Sequence, residues 1–168
     1  MAGVRRYRLL SFWVLLALAL SGCQDGRVRD GSFEGKCVSV KDGDTIEVMR
    51  NKETVRVRLH GVDTPERRQP FSDVARRRTQ ELVKDRVVRV EVRDRDRYNR
   101  VVARVFVDDQ DLSLQLVKEG LAWHYSYYSS DPRLAFYEFR ARKKRLGLWQ
   151  DQNPEAPWDY RRRQRRSK

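Results

Sequence analysis

The chain has 168 residues, and its 37 lysines and arginines outnumber 24 aspartates and glutamates for a formal net charge of +13 at neutral pH. That length suits one compact domain with a real core. The positive surplus favours polyanionic partners, nucleic acid or an anionic membrane face, although a merely solubilising surface carries charge as well. Two cysteines, Cys23 and Cys37, rule out a disulfide-framework fold.

Arg5, Arg6 and Arg8 open the chain, and an apolar run from Leu9 to Leu20 broken only by Ser11 follows. The run is too short to span a membrane and has the character of a secretory signal core. Leu20-Ser21-Gly22-Cys23 then resembles a bacterial lipobox, which implies cleavage before Cys23 and lipid on its sulfur. An ordinary signal peptide ending near Cys23 is the other reading. Gln24 in the second mature position implies the outer membrane if the cell is Gram-negative. Such processing gives a lipid-anchored, extracytoplasmic protein rather than a spanning one. The expected organisation is a signal peptide over residues 1–22, a lipidated tether over 23–35, a folded domain over 36–150 and a basic tail over 151–168.

From Lys36 the pattern has period two. Val38 and Val40 alternate with polar residues, Asp42-Gly43 makes a tight turn, and Ile46 and Val48 return as the second strand of a hairpin. A turn at Asn51-Lys52 leads to a third strand, Val55 to Leu59. Cys37 lies in the first strand and is expected to be a buried, inert thiol. Pro65 stops the third strand, and a helix is predicted from Phe71 to Lys84 with Ser72 as its N-cap. Val87 to Val92 and Val101 to Val107 read as two more strands, with Asn99 suited to the left-handed turn between them.

Ser113 is expected to cap a short helix carrying Leu114 and Val117, ended by Gly120. Asp131-Pro132 starts a last helix with Leu134, Tyr137 and Ala141 facing the core and Gly147 closing it. Five short strands with three packed helices predict an α+β, mainly β fold: a five-stranded OB-fold barrel. The stretch Arg161 to Lys168 holds no acids and is expected to lack fixed structure and to stay outside any catalytic set.

Three polar clusters interrupt the strands: Asp42-Gly43-Asp44-Thr45, Arg58 through Glu66, and Asp96-Arg97-Tyr98-Asn99-Arg100. Backbone hydrolysis of nucleic acid needs a water deprotonated and aimed at phosphorus, and charge on the phosphoryl oxygens neutralised. A metal on carboxylates and guanidinium forks supply those needs. Asp42, Asp44, Asp63 and Glu66 offer oxygen ligands, which suit calcium or magnesium rather than zinc. Each cluster alone is an ordinary turn or strand end; their joint order points to a metal-dependent phosphodiesterase. His60 and His124 read as structural, since neither has an evident orienting partner.

With these clusters the chain resembles the thermonuclease family, the staphylococcal-nuclease-like domains, from about Lys36 to Trp149. Leu116 to Ala122, Gly147-Leu148-Trp149 and Ala156-Pro157-Trp158 followed by arginines add to the likeness. The resemblance implies an OB-fold endonuclease that cleaves DNA and RNA with one calcium ion and leaves a 5′-hydroxyl and a 3′-phosphate. It places Asp44 and Asp63 as metal ligands, with Thr64 giving a backbone carbonyl and Asp42 supporting. It places Glu66 at the water-activating position, Arg58 and Arg100 on the phosphate, and Tyr98 on the substrate. Among Tyr125, Tyr127 and Tyr128, which either stack on a base or pack on the last helix, Tyr128 is the one assigned to the substrate. The expected form is a monomer with no protein partner. A non-catalytic nucleic-acid-binding OB-fold module is the alternative, argued against by the presence of all five acids and arginines.

Overall fold

The computed structural model describes residues 31–167. The signal segment, the lipobox with Cys23 and most of the tether lie outside the described residues. Three long strands, β1 (Ser32–Val40), β2 (Thr45–Arg50) and β3 (Glu53–Leu59), form the expected antiparallel meander. Alternation drives it: Cys37, Ile46, Val48, Val57 and Leu59 are buried, and their strand neighbours, apart from the buried Thr45, are more exposed. β1 begins before Lys36, because Phe33 is buried and pairs with Val90, so part of the supposed tether belongs to the barrel. Cys37 is fully buried as expected, and burial pushes its thiol up from the ordinary value.

After the two-residue strand β4 (Val62–Asp63) and α1 (Ser72–Val83), β5 (Val87–Arg95) pairs with β1 and β6 (Val101–Val107) pairs with β5. β6 then lies parallel to β3, with Val57 opposite Val101 and Arg58 opposite Val102. That pairing joins the ends of the sheet and closes a five-stranded OB-fold barrel of β1, β2, β3, β5 and β6. A short β7 (Gln110–Asp111) extends β6, and β8 (Trp123–His124) pairs with β4.

The caps differ from expectation in two helices. Phe71, not Ser72, precedes α1, in a left-handed conformation (φ 66°) with no side-chain cap. Phe71 packs against both the barrel core and a second apolar cluster, and that packing outweighs the cap preference. Helix α2 (Leu112–Lys118) is capped by Asp111, which accepts from the amides of Ser113 and Leu114. Ser113 lies inside the helix and donates its hydroxyl to the carbonyl of His60 at 3.1 Å. Gly120 follows α2 with φ +70°, and a Cβ there would fall 2.3 Å from the Leu146 carbonyl oxygen.

Helix α3 (Pro132–Lys143) starts as expected, with Asp131 accepting from the Arg133 amide and proline in its first turn. It ends before Gly147, which instead opens a 3-10 helix (Gly147–Gln150). The tail is where the expectation fails outright. Residues Pro157–Arg166 form a fourth helix, α4, with Asp159 in its first turn and Arg163, Arg165 and Arg166 in its last. These charges complement the helix dipole at both ends, and Trp158 packs onto a cluster of Trp123, Ala141, Leu148, Trp149 and Ala156. Among the described residues no helix is long and apolar enough to cross a membrane.

Candidate active site

The site is assembled where β2, β3 and β4 meet at one rim of the barrel. The turn before β2 is tightened by Asp42, whose carboxylate accepts the Asp44 amide at 3.1 Å. Gly43 is required there, because a Cβ would lie 2.8 Å from Thr64 Oγ1 and 2.9 Å from the Ala75 Cβ. The turn thus delivers Asp44 into the protein with 1% of its surface exposed. Asp63, fully buried, is fixed by its strand, which pairs Asp63 with Trp123.

Arg58 joins the two acids. Its Nη1 pairs with Asp44 Oδ1, and its Nη2 donates to Asp63 Oδ1 at 2.6 Å. The other oxygen of Asp44 accepts the Thr64 amide at 2.7 Å and the Thr64 hydroxyl at 2.9 Å. Burial pushes the Asp44 carboxyl up to about 6, and the attraction of Arg58 only partly offsets that. Burial also opposes the charge on Arg58, yet Asp44 and Asp63 together hold its guanidinium above the usual range.

Arg100 arrives from the β5–β6 loop. Asn99 adopts φ 60° there, as its place in the turn predicts. Asp96 accepts the Tyr98 and Arg100 amides, each at 2.9 Å, and takes Arg100 Nε at 2.6 Å. Arg100 Nη1 reaches Thr45 Oγ1 at 3.5 Å, and Thr45 Oγ1 in turn donates to Asp44 at 3.2 Å. Asp42, Asp44, Arg58, Asp63, Thr64 and Arg100 therefore share one hydrogen-bonded neighbourhood.

Glu66 sits on the loop after β4, where its amide donates to Gln69 Oε1 at 2.8 Å. Gln69 also donates to the Glu155 carbonyl at 3.0 Å, which ties this loop to the segment leading into α4. From α4, Arg161 Nη2 donates to Asp63 Oδ2 at 2.8 Å and its Nη1 pairs with Glu66. Gln69 has no place in the expected site, and Arg161 is expected to stay outside it with the rest of the tail, yet its guanidinium lies on Asp63 and Glu66. The signal available was Trp158 and Arg161 three apart after a helix-starting proline, which puts an aromatic anchor and a cation on one face.

The tyrosines separate. Tyr98 is exposed and lies beside Arg97 and Arg100. Tyr125 stacks on Trp158 of α4 with centroids 4.8 Å apart, so it packs on a helix that the sequence did not lead us to expect. Tyr128 is exposed and lines a cleft of about 500 Å³ with His60, Arg93 and Arg104, apart from the Asp44–Asp63 pair. Burial, then Arg93 and Arg104, lower the His60 value and favour neutral imidazole. His124 Nε2 is bonded to the Ser129 carbonyl at 2.8 Å.

Asp44 and Asp63 with the Thr64 backbone carbonyl offer hard oxygen donors, and burial, with Arg58 opposing and Asp42 adding to it, is what raises the Asp44 value. The donor chemistry therefore fits a calcium-like ion. Among the described residues no three acidic, histidine or cysteine side chains converge as a ready cage; guanidinium groups stand on the carboxylates instead.

A family model described as staphylococcal nuclease homologue matches residues 56–151. A micrococcal nuclease of Shigella flexneri is 40% identical over 141 residues, covering 77% of this chain and 81% of that protein. An uncharacterized endonuclease of Escherichia coli is 38% identical over 132 residues, covering 78% and 86%. One of Haemophilus influenzae is 33% identical over 163 residues, covering 96% and 89%.

Proposed function

This chain belongs to the staphylococcal nuclease homologue family, and from that premise we propose that it is a calcium-dependent endonuclease acting on DNA and RNA. The observation that carries the reading is the bridge from Arg58 to two buried carboxylates, Asp44 and Asp63, with Glu66 at its edge. A scaffold gains little from burying two acids at one rim, since each costs desolvation that only a compensating charge returns. Asp44, Asp63 and the Thr64 carbonyl would hold the ion, with Asp42 supporting. Bound there, calcium would supply positive charge against the phosphoryl oxygens.

The chain's own groups do the rest. Glu66 accepts a proton from a water as its oxygen forms a bond to phosphorus. Arg58 and Arg100 place guanidinium forks on the phosphoryl oxygens as negative charge accumulates. The bond from phosphorus to the 5′-oxygen breaks, and that oxygen takes up a proton, leaving a 5′-hydroxyl and a 3′-phosphate. Tyr98, exposed beside Arg100, would touch the chain flanking that phosphate, and Tyr128 would contact it further along.

The monomeric state and the anchor belong to the same proposal. Lipid on Cys23 would hold the enzyme in the cell envelope, outside the cytoplasm, and palmitate incorporation lost in Cys23→Ser tests it. The activity is tested by digesting single-stranded DNA with calcium and then with chelator, alongside Glu66→Gln. Calcium-dependent cleavage lost in the variant is the expected result. Tight binding without cleavage under any metal would make the chain a binding module.

A further inference from the structure

The carboxylates that the function above assigns to a cation already have cations on them. Asp63 Oδ1 accepts from Arg58 at 2.6 Å and from Arg161 at 3.2 Å, and Oδ2 accepts from Arg161 at 2.8 Å. The same Arg161 guanidinium pairs with Glu66. Calcium binds carboxylate oxygen at about 2.3–2.6 Å, and a guanidinium hydrogen-bonded to that same oxygen brings like charge into the ion's coordination shell. One of the two arginines must give way at Asp63.

The two differ in how they are held. Arg58 extends from a barrel strand, its side chain is 17% exposed, and it is gripped by Asp44 as well as Asp63. Arg161 extends from a surface helix, its side chain is 33% exposed, and its charged partners here are the two acids at issue, with the Tyr125 side chain also beside it. Helix α4 does not depend on those ion pairs for its seat. Trp158 stacks on Tyr125 with rings 18° from parallel and meets Trp123 edge-on at 5.6 Å, while Gln69 holds the Glu155 carbonyl. The Arg161 side chain can leave while its helix stays.

We propose that Arg161 is a positioning residue of the hydrolytic site: an internal counter-ion that neutralises and orients Asp63 and Glu66 until a divalent cation displaces it. The inference rests on the cation-dependent reading above. It makes cation affinity a difference between two ions competing for one carboxylate, so the last helix sets the calcium concentration at which the site fills.

The test is calorimetric titration of CaCl2 into the full chain without nucleic acid, for the unaltered protein, Arg161→Gln and Arg161→Lys. Arg161→Gln is expected to bind calcium about fivefold more tightly, the scale of one lost competing ion pair. Arg161→Lys should fall between, because an ammonium cannot fork across two carboxylates. Equal or weaker binding by Arg161→Gln overturns the proposal while leaving the nuclease reading intact. Calcium binding by none of the three proteins overturns both. Thermal denaturation supplies the control: the glutamine variant should melt earlier than the unaltered chain without calcium, and the gap should narrow in saturating CaCl2. A gap unchanged by calcium would make Arg161 only a structural strut and would equally overturn the proposal.

Discussion

Thr79, in the middle of α1, gives its hydroxyl proton to the carbonyl oxygen of Gly43 across 2.6 Å, with both groups buried. That bond locks the turn delivering Asp44 to the helix packed behind it. Thr79→Val keeps the shape and strands the carbonyl, so it should lower stability by about 1–3 kcal/mol. Thr79→Ser should recover most of the loss. Chemical denaturation of the three proteins checks both statements.

Arg58 spans Asp44 and Asp63 with separate nitrogens of one fork. A lysine has one nitrogen and cannot make the bridge or a two-point contact to phosphate. Arg58→Lys should therefore reduce kcat by about 10²–10³-fold, the scale of losing one well-placed donor to the transition state. Single-turnover cleavage of a short oligonucleotide measures it, and a rate close to that of the unaltered enzyme would remove Arg58 from the phosphate.

The pH dependence has a definite sign. Asp44 is pushed by burial from 3.8 up to about 6, with Arg58 opposing. A carboxyl raised on folding favours the folded state most below its unfolded value, and the benefit is lost as pH rises through the folded one. The contribution of Asp44 should therefore decline between about pH 4 and pH 6 in chelator. Asp44→Asn should flatten that part of the profile, and the stabilisation given by CaCl2 should grow across the same interval. Melting temperatures at half-unit steps of pH decide it.

Trp158 carries the seat of α4 through its contacts with Tyr125 and Trp123. Trp158→Ala removes two aromatic pairs, each worth about 0.5–1.5 kcal/mol beyond burial, and should release the helix. Amide exchange over residues 157–166 should then accelerate while the barrel strands stay protected. Uniform acceleration along the chain would show instead that α4 is inseparable from the barrel.

Much of the fold is legible in the chain alone. Period-two alternation marks β1, β2, β3, β5 and β6 because a barrel strand has one wet and one dry face. Asp44, Arg58, Asp63 and Arg100 are readable as a set through the joint order of their clusters and the family resemblance, since each alone is an ordinary turn or strand-end residue. Asp131-Pro132 is legible because the N-cap and the first-turn proline are local rules. Asp111 and Ser113 are both good caps two residues apart, and only the end of β7 decides between them. Phe71 shows tertiary packing overriding a cap. Helix α4 stays hidden because its arginines cover any apolar period; it is seated by Trp158 on Tyr125 and Trp123, residues distant in sequence. Arg161 shares a face with Trp158 after Pro157, but its partners Asp63 and Glu66 are too far away in sequence for that face to be tied to the site.

The parallel seam between β3 and β6 has a consequence for how the molecule comes into being. Arg58 lies on β3 and Arg100 just ahead of β6, and those two strands meet at that seam, with Val57 against Val101. Pairing so distant in sequence carries a high loop-closure entropy, so it forms slowly and late. Arg58 and Arg100 therefore come together only when the barrel shuts. A nascent or nicked chain lacking either strand holds no half-active site, and its cutting power switches on at the completion of folding.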